Sequence, residues 1–192
     1  MRVPSRLRRL HRRFAASTRG VAAIEFAMIM PVLATLFLAS FDGGRAIAAY
    51  MKMRATTFAL AAITNQYSTI QATDMTSIVG ATTTIMAPYP TSSTNPVITI
   101  SQIAISSKGK ATISWSYSQG GTARTKGASI TLPATALAVK NSYLILAEVS
   151  YTFTPLFGLF TVGNLTFSDN LYVTPRVSNC INYPPQSVSG CS

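Results

Sequence analysis

The chain has 192 residues, enough for one ordinary domain and a membrane segment but not for two large domains. Only 11% of the residues are charged and 48% are hydrophobic, with a mean hydropathy of +0.30. That balance points away from an average soluble domain, of which roughly a quarter is charged, and towards membrane or assembly proteins.

The formal net charge of +11 is concentrated at one end. Arg2, Arg6, Arg8, Arg9, Arg12, Arg13 and Arg19 fall within the first 20 residues with no acid among them, and the remainder of the chain nets only +4. A basic run can bind nucleic acid through its phosphates. Here it directly abuts an apolar stretch, the arrangement of the positive-inside rule, so it reads as a topology determinant and no nucleic-acid partner is expected.

From Val21 to Phe41 the sequence runs VAAIEFAMIMPVLATLFLASF. As a helix rising 1.5 Å per residue it would span ~30 Å, the thickness of the bilayer hydrocarbon core. Its single charge is Glu25, near the basic end. A charge at mid-membrane costs roughly 2.5–3.5 kcal/mol on insertion scales, and less towards an interface. Pro31 lies inside the span, where a proline removes a backbone donor and is tolerated when neighbours resatisfy the freed carbonyl. Two processing signals compete with a plain anchor. Ala46-Ile47-Ala48 has the A-x-A form of a secretory cleavage site, but the apolar run before it is too long for a signal peptide and carries a glutamate. Arg12-Arg13-Phe14 matches a twin-arginine signal only faintly.

Across the basic–apolar boundary the chain reads Arg19-Gly20-Val21-Ala22-Ala23-Ile24-Glu25-Phe26, a glycine followed by an apolar run with glutamate at its fifth position. This resembles the processing site of type IV pilins and their relatives, which a prepilin peptidase cuts after the glycine. Glu25-Phe26 is most similar to the tight-adherence (Tad, or Flp) subgroup, in which an aromatic follows the glutamate. The likeness extends from Arg19 through Ala62 and resembles the TadE-type pseudopilin segment, in Glu25-Phe26-Ala27, Pro31, the Gly44-Arg45 pair and the Ala-rich stretch beyond. The resemblance implies cleavage between Gly20 and Val21, which discards the seven arginines and frees the α-amine of Val21. It also implies that Glu25, with Phe26 beside it, takes part in subunit assembly, its carboxylate facing a neighbour's new amino terminus. An ion pair in an apolar bundle is costly to break from one side, because the remaining charge is left buried and unpaired.

Beyond the span, Asp42-Gly43-Gly44-Arg45 marks the far interface and an expected flexible or kinked point. Residues 46–67 are Ala-rich, and Ile47, Tyr50, Met51, Phe58, Ala61 and Ala62 recur at helical spacing, predicting an amphipathic helix packed on a later sheet. Thr73-Asp74 reads as the N-cap of a short helix that Ala87-Pro88-Tyr89-Pro90 ends. Strands follow at 97–105 and 111–117, the second alternating through Ile113, Trp115 and Tyr117, with a hairpin turn at Lys108-Gly109-Lys110. A polar loop at 120–127 carries Arg124 and Lys126, read as ordinary solvated charge, and Trp115 reads as core. Residues 143–153 give the strongest strand signal and 165–173 a last strand antiparallel to it. Asn164-Leu165-Thr166 has the glycosylation pattern, without consequence in a bacterial host.

Both cysteines, Cys180 and Cys191, lie in the last 13 residues. Downstream of a membrane segment they predict one disulfide in an oxidising compartment, worth roughly 2–3 kcal/mol in the chain-entropy model. No histidine lies near them, and neither a metal nor another cofactor is expected. Nor does the sequence suggest an enzyme. His11 is the only histidine, the acids outside the span (Asp42, Asp74, Glu148 and Asp169) form no close motif, and no phosphate loop or nucleophile elbow occurs.

The expectation is an α+β, pilin-like, bitopic membrane protein, its long N-terminal transmembrane helix continuing into an amphipathic helix packed on an antiparallel sheet. It divides into a basic cytoplasmic leader (1–20), a transmembrane helix (21–41) and an extracytoplasmic helix-plus-sheet domain (42–192). The resemblance implies a structural minor pseudopilin in tight-adherence pilus assembly. Its partners would be other pilin or pseudopilin subunits, the assembly machinery, a prepilin peptidase and the bacterial inner membrane. The C-terminal domain would be periplasmic or, in an assembled pilus, extracellular. The alternatives are an unprocessed single-pass anchor presenting a scaffold or adhesin, and a secreted protein beginning at Ala49.

Overall fold

Alanine, leucine and methionine favour helix, and between Arg19 and Thr64 they are interrupted by only one proline and three glycines. In the computed structural model, which describes residues 19–134, 137–158, 163–186 and 191, that stretch is a single helix, α1 (Arg19–Thr64). The leader arginines through Arg13, and His11, lie outside the described residues. The helix runs unbroken through Asp42-Gly43-Gly44-Arg45, where a flexible or kinked point was expected. Each glycine costs about 1 kcal/mol relative to alanine, an amount that the helix formers on both sides offset.

The chain divides into two compact units. The first comprises α1 as far as Gly44 together with Leu156, Phe157 and Gly158. Asp42 organises it. Its carboxylate accepts the backbone N–H groups of Leu156 and Phe157, each at 3.0 Å, and of Gly158 at 3.3 Å. The Phe41 and Phe157 rings meet edge to face at 6.0 Å.

The second unit begins at Arg45. After α1 comes α2 (Ala72–Met86), whose N-cap is Gln71, two residues before the expected Thr73. Asp74 instead sits at the third helical position and accepts the Gln71 N–H at 2.9 Å, one half of a capping box. Four antiparallel strands follow: β1 (Val97–Ile105), β2 (Ala111–Gln119), β3 (Ser142–Phe153) and β4 (Leu165–Val173), in the order β2-β1-β3-β4.

Ile98 and Ile100 of β1, Trp115 of β2, and Ile145, Ala147, Val149, Tyr151 and Phe153 of β3 form the main core with both helices. On the opposite face Ile103, Ile105, Ala111, Ile113, Leu144 and Leu146 form a second cluster, against which Ile130, Leu132 and Leu137 pack. The two faces exchange along β2 through a bulge: Gln102 pairs with Trp115 but Ile103 pairs with Ile113, so Ser114 is the extra residue. Ile113 and Trp115, read as one alternating face, therefore serve different cores.

The face that α1 buries also differs from the expected one. Ala49, Met53, Leu60 and Ala61 enter the core, with Thr56, Thr57 and Thr64 buried among them. Of the residues expected on that face, Ala61 is there, whereas Ile47, Met51 and Phe58 are each about two-thirds exposed. The hydroxyls of Thr56 and Thr57 are satisfied by the carbonyls of Lys52 (3.0 Å) and Met53 (3.2 Å), so their burial costs little.

The outer edge of β2 is partly covered, from Ala111 to Ser116. Residues 127–130 exchange backbone hydrogen bonds with Ala111 and Ile113. Further along, the amide of Gln186, in the short 3-10 turn Pro184–Gln186, bonds both the N–H and the carbonyl of Ser116. Trp115 Nε1 donates to the Ile181 carbonyl at 2.9 Å. A disulfide between Cys180 and Cys191 closes this terminal segment, with Cα atoms 5.3 Å apart.

Candidate functional site

The residues singled out by the sequence motif all lie on the first turns of α1. Gly20 and Val21 occupy its start, and Glu25 follows four residues after Val21, one turn further along the same face. An alanine side chain at Gly20 would meet nothing within 4 Å, and the residue has no left-handed conformation. Among the described residues, neither packing nor backbone geometry therefore calls for a glycine there.

Every side chain from Gly20 to Phe37 is exposed, Phe26 by 63% and Met28 by 75%. The segment qualifies by length and hydropathy as a candidate membrane span. A helix apolar all round is stable only when lipid or other helices cover it. Its polar groups are mostly satisfied internally: Thr35 Oγ1 donates to the Val32 carbonyl and Ser40 Oγ to the Leu36 carbonyl, both at 2.8 Å. Pro31 cannot donate the N–H that would close the helical hydrogen bond to Ala27.

Glu25 is the exception. Among the described residues its carboxylate has no hydrogen-bond or ionic partner, and it stands between the exposed apolar side chains of Ile24 and Phe26. The chain thus presents an acceptor of positive charge on an exposed apolar surface.

A second polar feature lies on the outer face of the sheet, where an open cleft of about 420 Å³ is lined by residues including Thr99, Thr122, Arg124, Glu148 and Ser150. Arg124, expected to be solvated, instead binds Glu148 through both terminal nitrogens. Twenty-four residues separate the two, and no sequence signal links them. Their opposite charges offset each other within the cleft, whose lining also includes Ser168, Asp169 and Asn170. Among the described residues no three His, Cys, Asp or Glu side chains gather as a metal site.

The family model described as TadE-like protein matches residues 20–62. This TadE-like segment begins at the glycine of the motif and ends two residues before α1 does. No curated protein and no solved structure matches the chain.

Proposed function

We propose that this protein is a TadE-like minor pseudopilin, a structural subunit that takes part in assembly of a tight-adherence pilus. The observation that carries the reading is Glu25, an unpartnered carboxylate five residues after Gly20 within an exposed apolar helix that lies in the TadE-like segment. The chain inserts in the bacterial inner membrane once, with the arginine leader in the cytoplasm and the helix-plus-sheet domain in the periplasm. A prepilin peptidase cuts between Gly20 and Val21. That cut removes the arginines that hold the helix start at the cytoplasmic face and creates a new α-amine. Glu25, aided by Phe26 beside it, then pairs with the amine of a neighbouring pilin or pseudopilin subunit, and the desolvation cost of the lone carboxylate becomes a demand for that partner.

Two features support this role. Among the described residues Gly20 serves no packing function, as expected if the requirement for glycine comes from an outside enzyme. The rival secretory cleavage before Ala49 would sever a helix turn whose Ala49 is fully buried in the core, and whose Arg45 carbonyl accepts the Tyr89 hydroxyl at 2.9 Å.

The test is Glu25→Ala, read by crosslinking to pilin-like partners, surface piliation and a blot for the processed form. The substitution should leave insertion and cleavage intact and abolish association, whereas Gly20→Ala or a bulkier residue should block cleavage. Normal piliation at normal protein level in the Glu25→Ala strain would favour the unprocessed anchor, scaffold or adhesin. Amino-terminal sequencing separates the readings independently: Val21 for the pseudopilin, Met1 for the anchor, Ala49 for the secreted form.

A further inference from the structure

Asp42 directly follows Phe41, the last residue of the apolar run, and it is the only acid between Glu25 and Asp74. Its carboxylate is engaged by three consecutive backbone N–H groups, those of Leu156, Phe157 and Gly158. Such convergence of successive amides on one anion is a nest, which requires a left-handed residue near its end. Gly158 supplies it with φ +57°. Bonds from amides to a carboxylate are charge-assisted and stronger than neutral ones.

The tether fixes an apolar segment at the end of the span. Residues 156–160 read Leu-Phe-Gly-Leu-Phe, with no charge. Leu156 is 64% exposed and Phe157 44%, although the Phe157 ring already rests on Phe41. Two large apolar side chains held open to solvent, bonded to the first residue after a membrane-length apolar run, call for a covering. Continuity with the span names it. The acyl–headgroup boundary that receives Phe41 lies at the same level, and that boundary is where aromatic and aliphatic side chains partition while nearby polar groups stay hydrated.

We propose that the β3–β4 connection is a second, interfacial membrane contact, in which Leu156 and Phe157 insert into the outer boundary of the bilayer that α1 crosses and Asp42 holds them at that depth. This rests on the membrane-span reading given above. The connection lies far from Gly20 and Glu25 in sequence and acts at the opposite end of the span. The contact therefore does not depend on whether the leader is cut.

The experiment places an environment-sensitive fluorophore on Leu156→Cys or, as a control for the span, on Phe37→Cys. The full-length chain is reconstituted in vesicles of phosphatidylethanolamine and phosphatidylglycerol with its native disulfide kept oxidised. Spin-labelled lipids, with the label near the headgroup or deep in the acyl chain, quench from within the membrane, and iodide quenches from water. Expected is strong quenching at Leu156→Cys by the shallow label, weaker quenching by the deep one and protection from iodide, with Phe37→Cys also quenched by lipid labels. Quenching at Phe37→Cys with iodide access at Leu156→Cys would overturn the loop contact and leave the span standing. Protection from iodide without lipid quenching at Leu156→Cys would assign the covering to protein and equally overturn it. Absence of lipid quenching at Phe37→Cys would overturn the span itself, and this proposal with it. Adding Asp42→Ala should release the Leu156→Cys probe to iodide while Phe37→Cys stays quenched. Unchanged quenching at Leu156→Cys in that variant would overturn the role of Asp42 as the tether.

Discussion

Arg124 reaches across the outer face of the sheet, from the loop after β2 to Glu148 on β3, and grips that carboxylate with both terminal nitrogens. Its own backbone N–H is held by Ser116 Oγ at 3.0 Å, so the loop is pinned at both ends of the arginine. The Glu148 bond keeps the Arg124 guanidinium more firmly protonated than usual. Both side chains are about one-third exposed, which places the pair between a weak surface bridge and a strong buried one. Arg124→Ala and Glu148→Gln should each lower stability by about 1 kcal/mol, a fall in melting temperature of roughly 2–4 °C for a protein of this size. The double variant should lose less than the sum. Strict additivity in a double-mutant cycle would show that the pair contributes nothing of its own.

Trp115 has two roles that substitution can separate. It is fully buried in the helix-side core, and its indole N–H satisfies the Ile181 carbonyl. Trp115→Phe should keep most of the packing yet cost about 1–3 kcal/mol, because that buried carbonyl loses its donor. Trp115→Ala should cost about 3–5 kcal/mol. Hydrogen exchange in the Trp115→Phe variant should quicken first in residues 180–186. Uniform acceleration across the sheet would count against a local effect.

The disulfide should act on that same terminal segment. Cys180 and Cys191 are 11 residues apart, a loop for which closure is worth roughly 2–3 kcal/mol in the chain-entropy model. Replacing both with serine should reduce the denaturant midpoint accordingly and weaken the cover over β2. Thiol labelling of the unreduced, denatured wild-type chain should fail at both positions, and full labelling would refute the bond.

Three phenols give the domain a limit at alkaline pH. Burial raises the pKa of Tyr151, Tyr172 and Tyr183 above the ordinary tyrosine value, reinforced by Tyr89, Glu148 and Tyr117 respectively. A raised folded-state pKa means that the folded protein holds the proton more tightly than the unfolded chain. The associated stability is complete below the unfolded value of about 10 and is lost as pH rises through the folded values. Denaturant midpoints should fall above about pH 10, together with late phenolate absorbance. Phenolate absorbance complete by that pH in the folded protein would contradict the shift.

The sequence revealed elements more readily than faces. Strand β4 coincides with the alternating run at 165–173, and β1 with that at 97–105, because alternation reports directly on a pleated, half-buried surface. Periodicity was silent about Ser114, where one extra residue reverses which core its neighbours serve. It misjudged α1, where Ala49, Ala61 and three threonines are buried while Ile47, Met51 and Phe58 stay outside. The candidate motif is visible in the sequence because it is local, seven residues from Gly20 to Phe26 on one helix. The Asp42 nest, whose partners lie more than 110 residues away, and the Arg124–Glu148 pair exist only once the chain has folded.

Covering part of one border of the sheet has a consequence for crowding. An open strand border is a template on which identical chains can stack without limit, but propagation needs two such borders on every molecule, one to receive and one to offer. Here the β2 border is occupied by the chain's own residues 127–130 and by the Gln186 amide. A second copy could pair through this border only by first displacing those residues, so the β2 side of the sheet is a poor template for such stacking.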